Sequence, residues 1–243
     1  MLILYTDFGY QGPYVGQMKG VIQQVAPGVP VLDLMHDAPA WDPKASAYLL
    51  PALLAPFPPA SVFLVVVDPG VGSAREAVAV QADGRWLVGP HNGVFEVIAR
   101  RAVTVHWWRI TWRPDRLSAS FHGRDLFAPV AARLARGDGA GGFAEPMPAP
   151  AVSGWPEDLA QVVYLDGFGN AMTGFRARGL SSTATVSVGS HVLRRARTFS
   201  EVPGGEAFWY ANAHGLVEIA VNQGSAEASL GLRPGDAVTI QHA

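Results

Sequence analysis

The sequence predicts an α/β N-terminal domain with a layered, mainly parallel central sheet, followed by a C-terminal all-β, barrel-like domain. Three observations carry this. Strand-like and helix-like stretches alternate over residues 1–145. Within them Val62–Val67 is an unbroken apolar run, too short for an ordinary helix and suited to a strand buried on both faces. Beyond residue 159 only short strand-like stretches remain, separated by Gly, Asn and Pro turns. The expected division is therefore 1–145, a linker over 146–158, and 159–243.

In order, Leu2–Thr6 reads as a strand ending at Asp7-Phe8-Gly9. Tyr14–Val25 carries Val15, Met18, Val21 and Ile22 at helical spacing, and Pro27-Gly28 stops it. Val29–Met35 is a further strand, followed by His36-Asp37 and a loop with Trp41, Asp42 and Pro43; Lys44–Leu54 is a helix. After the central strand, Ala77–Gln81 and Trp86–Val88 flank Asp83-Gly84, a hairpin signature. Val94–Arg101 reads as a helix, Val103–Ile110 as a strand, and Leu126–Leu134 as a helix. Gly137–Pro156, rich in Gly and Pro, reads as a linker or extended crossing segment. The strands expected beyond it are Val162–Leu165, Thr183–Val188, Phe208–Asn212, Leu216–Val221 and Ala237–Gln241, with a short serine-capped helix at Ser225–Leu230.

Composition narrows the function. Half the 243 residues are apolar and 16% are charged, which suits a packed enzyme. The net charge of −2, with no basic run, disfavours nucleic acid as a partner. Without cysteine there is no disulfide, thiolate nucleophile or cysteine metal site, and a reducing cytoplasm is the expected location. The opening MLILYTDFG lacks a basic leader, so no signal peptide is expected, and no apolar run reaches the ~18 residues of a membrane span.

Three polar clusters stand at element ends: Asp7; Asp68 at the Asp68-Pro69-Gly70 turn with Arg75; and His122 with Arg124 and Asp125. Taken singly, each fits a turn or cap. Together they would emerge on one edge of the sheet, where open α/β folds bind ligands. His36, His91 and His122 have no metal-ligand spacing, so no metal is expected. Neither a P-loop nor GxSxG is present. Asp166-Gly167-Phe168-Gly169-Asn170 reads equally as a glycine-rich turn or as a carboxylate, ring and amide gripping a small polar ligand. Trp41 caps the core or stacks on a ring.

These segments resemble the S-adenosyl-L-methionine (SAM) hydroxide adenosyltransferase family, the SAM hydrolases, related to the enzymes that fluorinate or chlorinate SAM. The resemblance rests on TDFG and YVGQMKG within 6–20, VVDPGVGSAR at 66–75, HNGV at 91–94, FHGRDLFAPVAA at 121–132, LDGFGNAMTG at 165–174 and FWYANAHGLVEIAVNQGSA at 208–226. It implies hydrolysis of SAM to adenosine and L-methionine with no cofactor. It also implies a homotrimer with SAM sites at subunit interfaces, between the N-terminal domain of one subunit and the C-terminal domain of the next.

By the same resemblance, Asp68, Arg75 and His122 form a catalytic triad that the halogenating relatives lack. Asp7, with Phe8 beside it, binds the ribose hydroxyls, and Trp41 is a pocket aromatic. Asp166, Phe168 and Asn170 lie near the methionine moiety, while Ala213, Glu218 and Val221 touch methionine or adenine. Ala213 stands where serine is common and His214 where arginine can occur. The competing readings are a SAM- or adenosine-binding module without turnover, and a halide-dependent adenosyl transferase.

Overall fold

The computed structural model describes residues 1–151 and 154–241; residues 152 and 153, within the expected linker 146–158, and residues 242 and 243 lie outside the described chain. Two compact units form, one from Met1–Ala47 and the chain from Pro56, the other from Tyr48–Ala55 and the chain from Gly154.

The first unit holds β1 (Leu2–Thr6), α1 (Tyr14–Val25), β2 (Val31–Met35), the start of α2 (Pro43–Leu53), β3 (Val62–Val66), β4 (Ala77–Ala82), β5 (Arg85–Pro90), α3 (Glu96–Arg101), β6 (Val105–Ile110), α4 (Ala128–Ala135) and β7 (Ala144–Met147). Its seven strands make one sheet in the order β2-β1-β3-β5-β4-β6-β7. The β1–β2, β1–β3 and β3–β5 pairs are parallel. The β4–β5, β4–β6 and β6–β7 pairs are antiparallel. The central sheet is thus mixed, and the expectation of a mainly parallel one holds only for its first half. The cause is local: Asp83 (φ 46°) and Gly84 (φ 80°) both adopt left-handed backbone, the turn that folds β4 back on β5. β7 falls inside the stretch expected to be a linker, where two prolines among four nearby residues mask an edge strand.

β1 and β3 lie side by side and are buried at every position. Each fully buried Leu, Ile, Val or Phe contributes about 1.5–3 kcal/mol, so these two strands anchor the unit. Met18 and Ile22 of α1 join Leu126, Phe127, Val130 and Leu134 in the same core. A single π-helical turn, Gly123–Phe127, precedes α4 and takes up Leu126 and Phe127, the first two residues of the helix expected over Leu126–Leu134.

In the second unit, β8 (Leu159–Leu165), β9 (Ala171–Arg176), β10 (Thr185–Val188), β11 (His191–Leu193), β12 (Ala207–Ala211), β13 (Leu216–Val221), α5 (Ala226–Leu230) and β14 (Val238–Gln241) follow. They form two antiparallel sheets, β11-β10-β14 and β12-β13-β9-β8. Gln161 bridges to Ala237 and Arg195 to Trp209, so the sheets join along both margins into the expected barrel-like closure. Trp209, Val217, Ile219 and Val186 fill the interior. β9 and β11 were not expected: Gly174 interrupts the first and the second has three residues. The serine cap was: Ser225 Oγ accepts from Ala228 N at 3.1 Å.

The packing of β5 on β3 leaves no room beside Gly89, where a Cβ would run into the Val65 carbonyl and the Phe95 ring. Gly89→Ala is expected to cost about 1–3 kcal/mol or more. A thermal scan should show the melting temperature down by roughly 3–10 °C; an unchanged value would contradict this packing.

Candidate active site

Because β1 and β3 are parallel neighbours, their ends deliver Asp7 and Asp68 to the same edge. Asp7 N donates to the Val66 carbonyl at 3.4 Å, joining the two strand ends. The Asp7 carboxylate is held from the other side: Trp41 N donates to Asp7 Oδ2 at 3.0 Å. Trp41 has φ 57°, a conformation that a bulky residue adopts only when its surroundings impose it. The residue is 79% exposed, so it does not cap the core. His36, buried, pairs through Nδ1 with Thr6 Oγ1 at 2.8 Å, and its carbonyl accepts from Gly9 N at 2.6 Å, clamping the Thr6–Gly9 loop.

Asp68 and Arg75 face each other across the Pro69–Ala74 loop. Arg75 Nε donates to Asp68 Oδ1 at 2.6 Å and Nη2 donates to Oδ2, a two-pronged ion pair. The Arg75 side chain is only 9% exposed and that of Asp68 only 5%. The loop is tightened by Val71 N to the Asp68 carbonyl at 3.2 Å and Ser73 N to the Gly70 carbonyl at 3.1 Å. Asn92 Nδ2 donates to the Val67 carbonyl at 2.9 Å, fixing the backbone just before Asp68. Arg75 Nη2 also reaches His122 Nδ1 at 3.1 Å. A guanidinium only donates, so this contact requires the Nδ1 lone pair and leaves the imidazole proton on Nε2.

Asp7, Phe8, Trp41, Asp68 and His122 line one cavity of about 510 Å³, with Tyr14, Gln17, Val71, Phe121 and Arg124 among the others. Arg75 holds two of these residues through its bonds. The rings of Phe8, Tyr14 and Phe121 meet edge-on or tilted at 5.4–5.9 Å. Tyr14 and Phe121 were not among the residues expected here; Phe121 directly precedes His122, which was the available signal. Arg124 is tied to Asp125 at 2.6 Å and to Gln17 at 2.8 Å.

The two titratable walls are shifted in opposite senses of charge. Burial pushes the Asp7 carboxyl up, against the lowering bond from Trp41 N, with nearby Asp68 adding to the rise. His122 is pushed below the ordinary imidazole value, first by burial, then by Arg75; Asp68 and Asp125 oppose this and Arg113 adds to it. Both shifts favour the neutral form.

The second unit gathers Asp166, Phe168, Asn170 and Val221 around a separate cavity of about 610 Å³, with Phe199, Tyr210, Gln223 and Gly224. Asp166 serves its own turn: Oδ1 accepts from Phe168 N and Asn170 N, both at 2.9 Å, and Oδ2 from Asn170 Nδ2 at 3.0 Å. These bonds form the turn, and within it Phe168 is 81% exposed. Glu218 is buried on β13 and accepts from Asn212 Nδ2 at 2.5 Å. Burial raises its pKa, as does Asp166, against hydrogen bonds from Asn212 and Tyr210. Glu218 does not line that cavity, and neither does Ala213, exposed in the turn after β12.

Comparison with known proteins decides the family. The SAM hydroxide adenosyltransferase N-terminal domain matches residues 2–143, and the C-terminal domain of the same family matches 160–239. The chain belongs to the SAM hydroxide adenosyltransferase family. Within that family it is 40% identical to the (R)-S-adenosyl-L-methionine hydrolase of Thermus thermophilus, over 97% of both chains. It is 39% identical to the enzyme of the same name from Salinispora arenicola, over 97% of this chain and 95% of the relative. More distantly, it is 23% identical to the fluorinase of an Actinoplanes species, over 56% of this chain and 55% of that one. In three dimensions it is similar to an uncharacterized conserved protein of Thermotoga maritima, with a TM-score of 0.88 and 30% identity over 99% of this chain and 100% of the other.

His122 should titrate below the ordinary imidazole value in an NMR pH series. Arg75→Gln removes the adjacent positive charge and should move that titration upward. An unchanged titration in the variant would contradict the Arg75–His122 contact.

Proposed function

We propose that this chain hydrolyses SAM to adenosine and L-methionine by attack of water or hydroxide on C5′ of the ribose. The observation that carries this is the Arg75 guanidinium joined at once to Asp68 and His122, both of which line a cavity with Asp7. Support also comes from the hydrolases matched over nearly the whole chain. The cavity volume falls within the range of small-molecule sites.

The step is an in-line displacement. The oxygen–C5′ bond forms as the C5′–sulfur bond breaks, and the bonding pair stays on sulfur as the neutral thioether of methionine. That leaving group needs no proton, so the protein's task is to hold the oxygen behind C5′ at about 3–3.5 Å. Asp68, whose two oxygens are aimed by Arg75, accepts a hydrogen bond from the attacking oxygen and, when that oxygen comes from water, its proton. His122, with Nδ1 occupied by Arg75, donates from Nε2 and holds the oxygen rather than deprotonating it. Asp7 accepts from the ribose hydroxyls, and Trp41 with Phe8 flanks the flat or apolar parts of the substrate. Asp166, Phe168, Asn170, Ala213, Glu218 and Val221 contribute to the methionine and adenine ends in the assembled protein. We further propose a metal-independent, cytoplasmic homotrimer with its sites at subunit interfaces. Exposed Tyr10, Tyr14 and Trp41 suit a surface covered by a partner.

Incubation with SAM, with and without added chloride, and chromatography of the products tests the reading. Adenosine in the absence of halide is expected. Retention of SAM without turnover would identify a binding module, and dependence on chloride a halogenating transferase.

Asp68→Ala and His122→Ala should fold normally and lose adenosine formation by at least about 10²-fold, the usual worth of a positioned proton-handling group. Full turnover in both would remove the triad. Asp7→Ala should raise KM roughly 10- to 100-fold, because hydrogen bonds to a charged group contribute about 1.5–3 kcal/mol; an unchanged KM would remove ribose recognition from Asp7.

The pH profile carries a sign. Protonating His122 puts a second positive charge against Arg75, so activity should persist down through the ordinary imidazole range and fall only below it. A kcat profile with its acid limb at or above about 6.5 would contradict a neutral working His122.

A further inference from the structure

Phe127 packs against both Arg75 and His122, the two side chains joined at Nη2. The Arg75 guanidinium carbon lies over the Phe127 ring, 5.2 Å from its centroid. The His122 ring meets the same phenyl edge-on at 6.5 Å. Phe127 has no exposed surface and does not line the cavity.

The backbone explains how one residue reaches both. Residues 123–127 form a π-helical turn with His122 at its start, and Ala128 N–H bonds to the Gly123 carbonyl five residues back. In an α-helix, residues five apart diverge by about 140° around the axis. A turn closed by an i→i+5 bond brings them onto one side instead, so His122 and Phe127 face Arg75 together. Such turns occur preferentially at functional sites. Pro129, lacking an N–H, sits in the first turn of α4, where the chain resumes the α-register.

We infer that Phe127 is a positioning residue for the reaction: its ring face holds the Arg75 guanidinium in place, so that Nε and Nη2 meet Asp68 and Nη2 meets His122. The inference rests on the catalytic reading of Asp68, Arg75 and His122. Its physical content is separable, because an arginine over a ring face is attracted by the ring's charge distribution, while an arginine against apolar bulk is not. Ordinary core packing depends on the size of residue 127; guanidinium holding depends on its electron density.

The test replaces Phe127 by mono-, di- and trifluorinated phenylalanine, which thin the ring's negative face at nearly constant shape, with Phe127→Leu as the ring-free variant. Three quantities are measured on each: melting temperature, kcat and KM for SAM, and NMR exchange of the Arg75 Nε proton in the ligand-free protein. We expect melting temperatures that fall by no more than about 5 °C across the fluorinated series, KM within about twofold, kcat falling stepwise to about one-tenth, and Arg75 Nε exchange quickening in the same order. A kcat and an exchange rate that both ignore fluorination overturn the role of Phe127. A wild-type protein that releases no adenosine overturns the hydrolase reading instead, and the exchange series still decides whether the ring holds Arg75.

Discussion

The site depends on one buried charge pair with a third member. Asp68 and Arg75 are almost wholly withdrawn from solvent, and each carboxylate oxygen is met by its own guanidinium donor. Desolvating two such charges costs several kcal/mol per ion unless the geometry and the remaining hydrogen bonds compensate. Most of the local architecture supplies that compensation. Asn92 fixes the carbonyl before Asp68, the Pro69–Ala74 loop folds on its own backbone bonds, and Phe127 lies under the guanidinium. The remaining donor capacity of Arg75 is directed at His122, which in turn settles where the imidazole proton resides.

This arrangement bears on the chemistry. A histidine whose Nδ1 is committed to a guanidinium is a donor at its other nitrogen, and its pKa is pushed down by burial and by Arg75. It is suited to holding an oxygen nucleophile and poorly suited to removing its proton. The anionic side of the site is Asp68, together with Asp7, whose pKa is raised chiefly by burial and in a smaller part by the Asp68 charge. On the proposed reading, a sulfonium substrate brings its positive charge to these two carboxylates, whose mutual repulsion it offsets.

Much of this was legible in the sequence because local signals agreed with the global fold. The apolar run at 62–67 is a fully buried strand, and the carboxylates after it and after β1 share an edge because those strands are parallel. Asp83-Gly84 and Ser225 act as a turn and a cap. The failures have physical causes. The Asp83-Gly84 turn, legible in the sequence, starts the antiparallel half of the sheet, but the pairing of β4 with β6 and of β6 with β7 joins segments distant in the chain, which no local pattern encodes. β7 and β9 carry proline or glycine and were hidden by them. The π-turn at 123–127 cannot be distinguished from helix by periodicity over five residues. Asp166 reads equally as a turn former and as a ligand-binding carboxylate, and its hydrogen bonds show the turn while it still lines the second cavity.

The central claim is that a solvent-derived oxygen, held by Asp68 and His122, attacks C5′ of SAM. Turnover in ¹⁸O-labelled water followed by mass spectrometry of the products tests it most directly. The label should appear in the 5′-hydroxyl of adenosine and be absent from methionine. Unlabelled adenosine, or a halogenated nucleoside in its place, would contradict it.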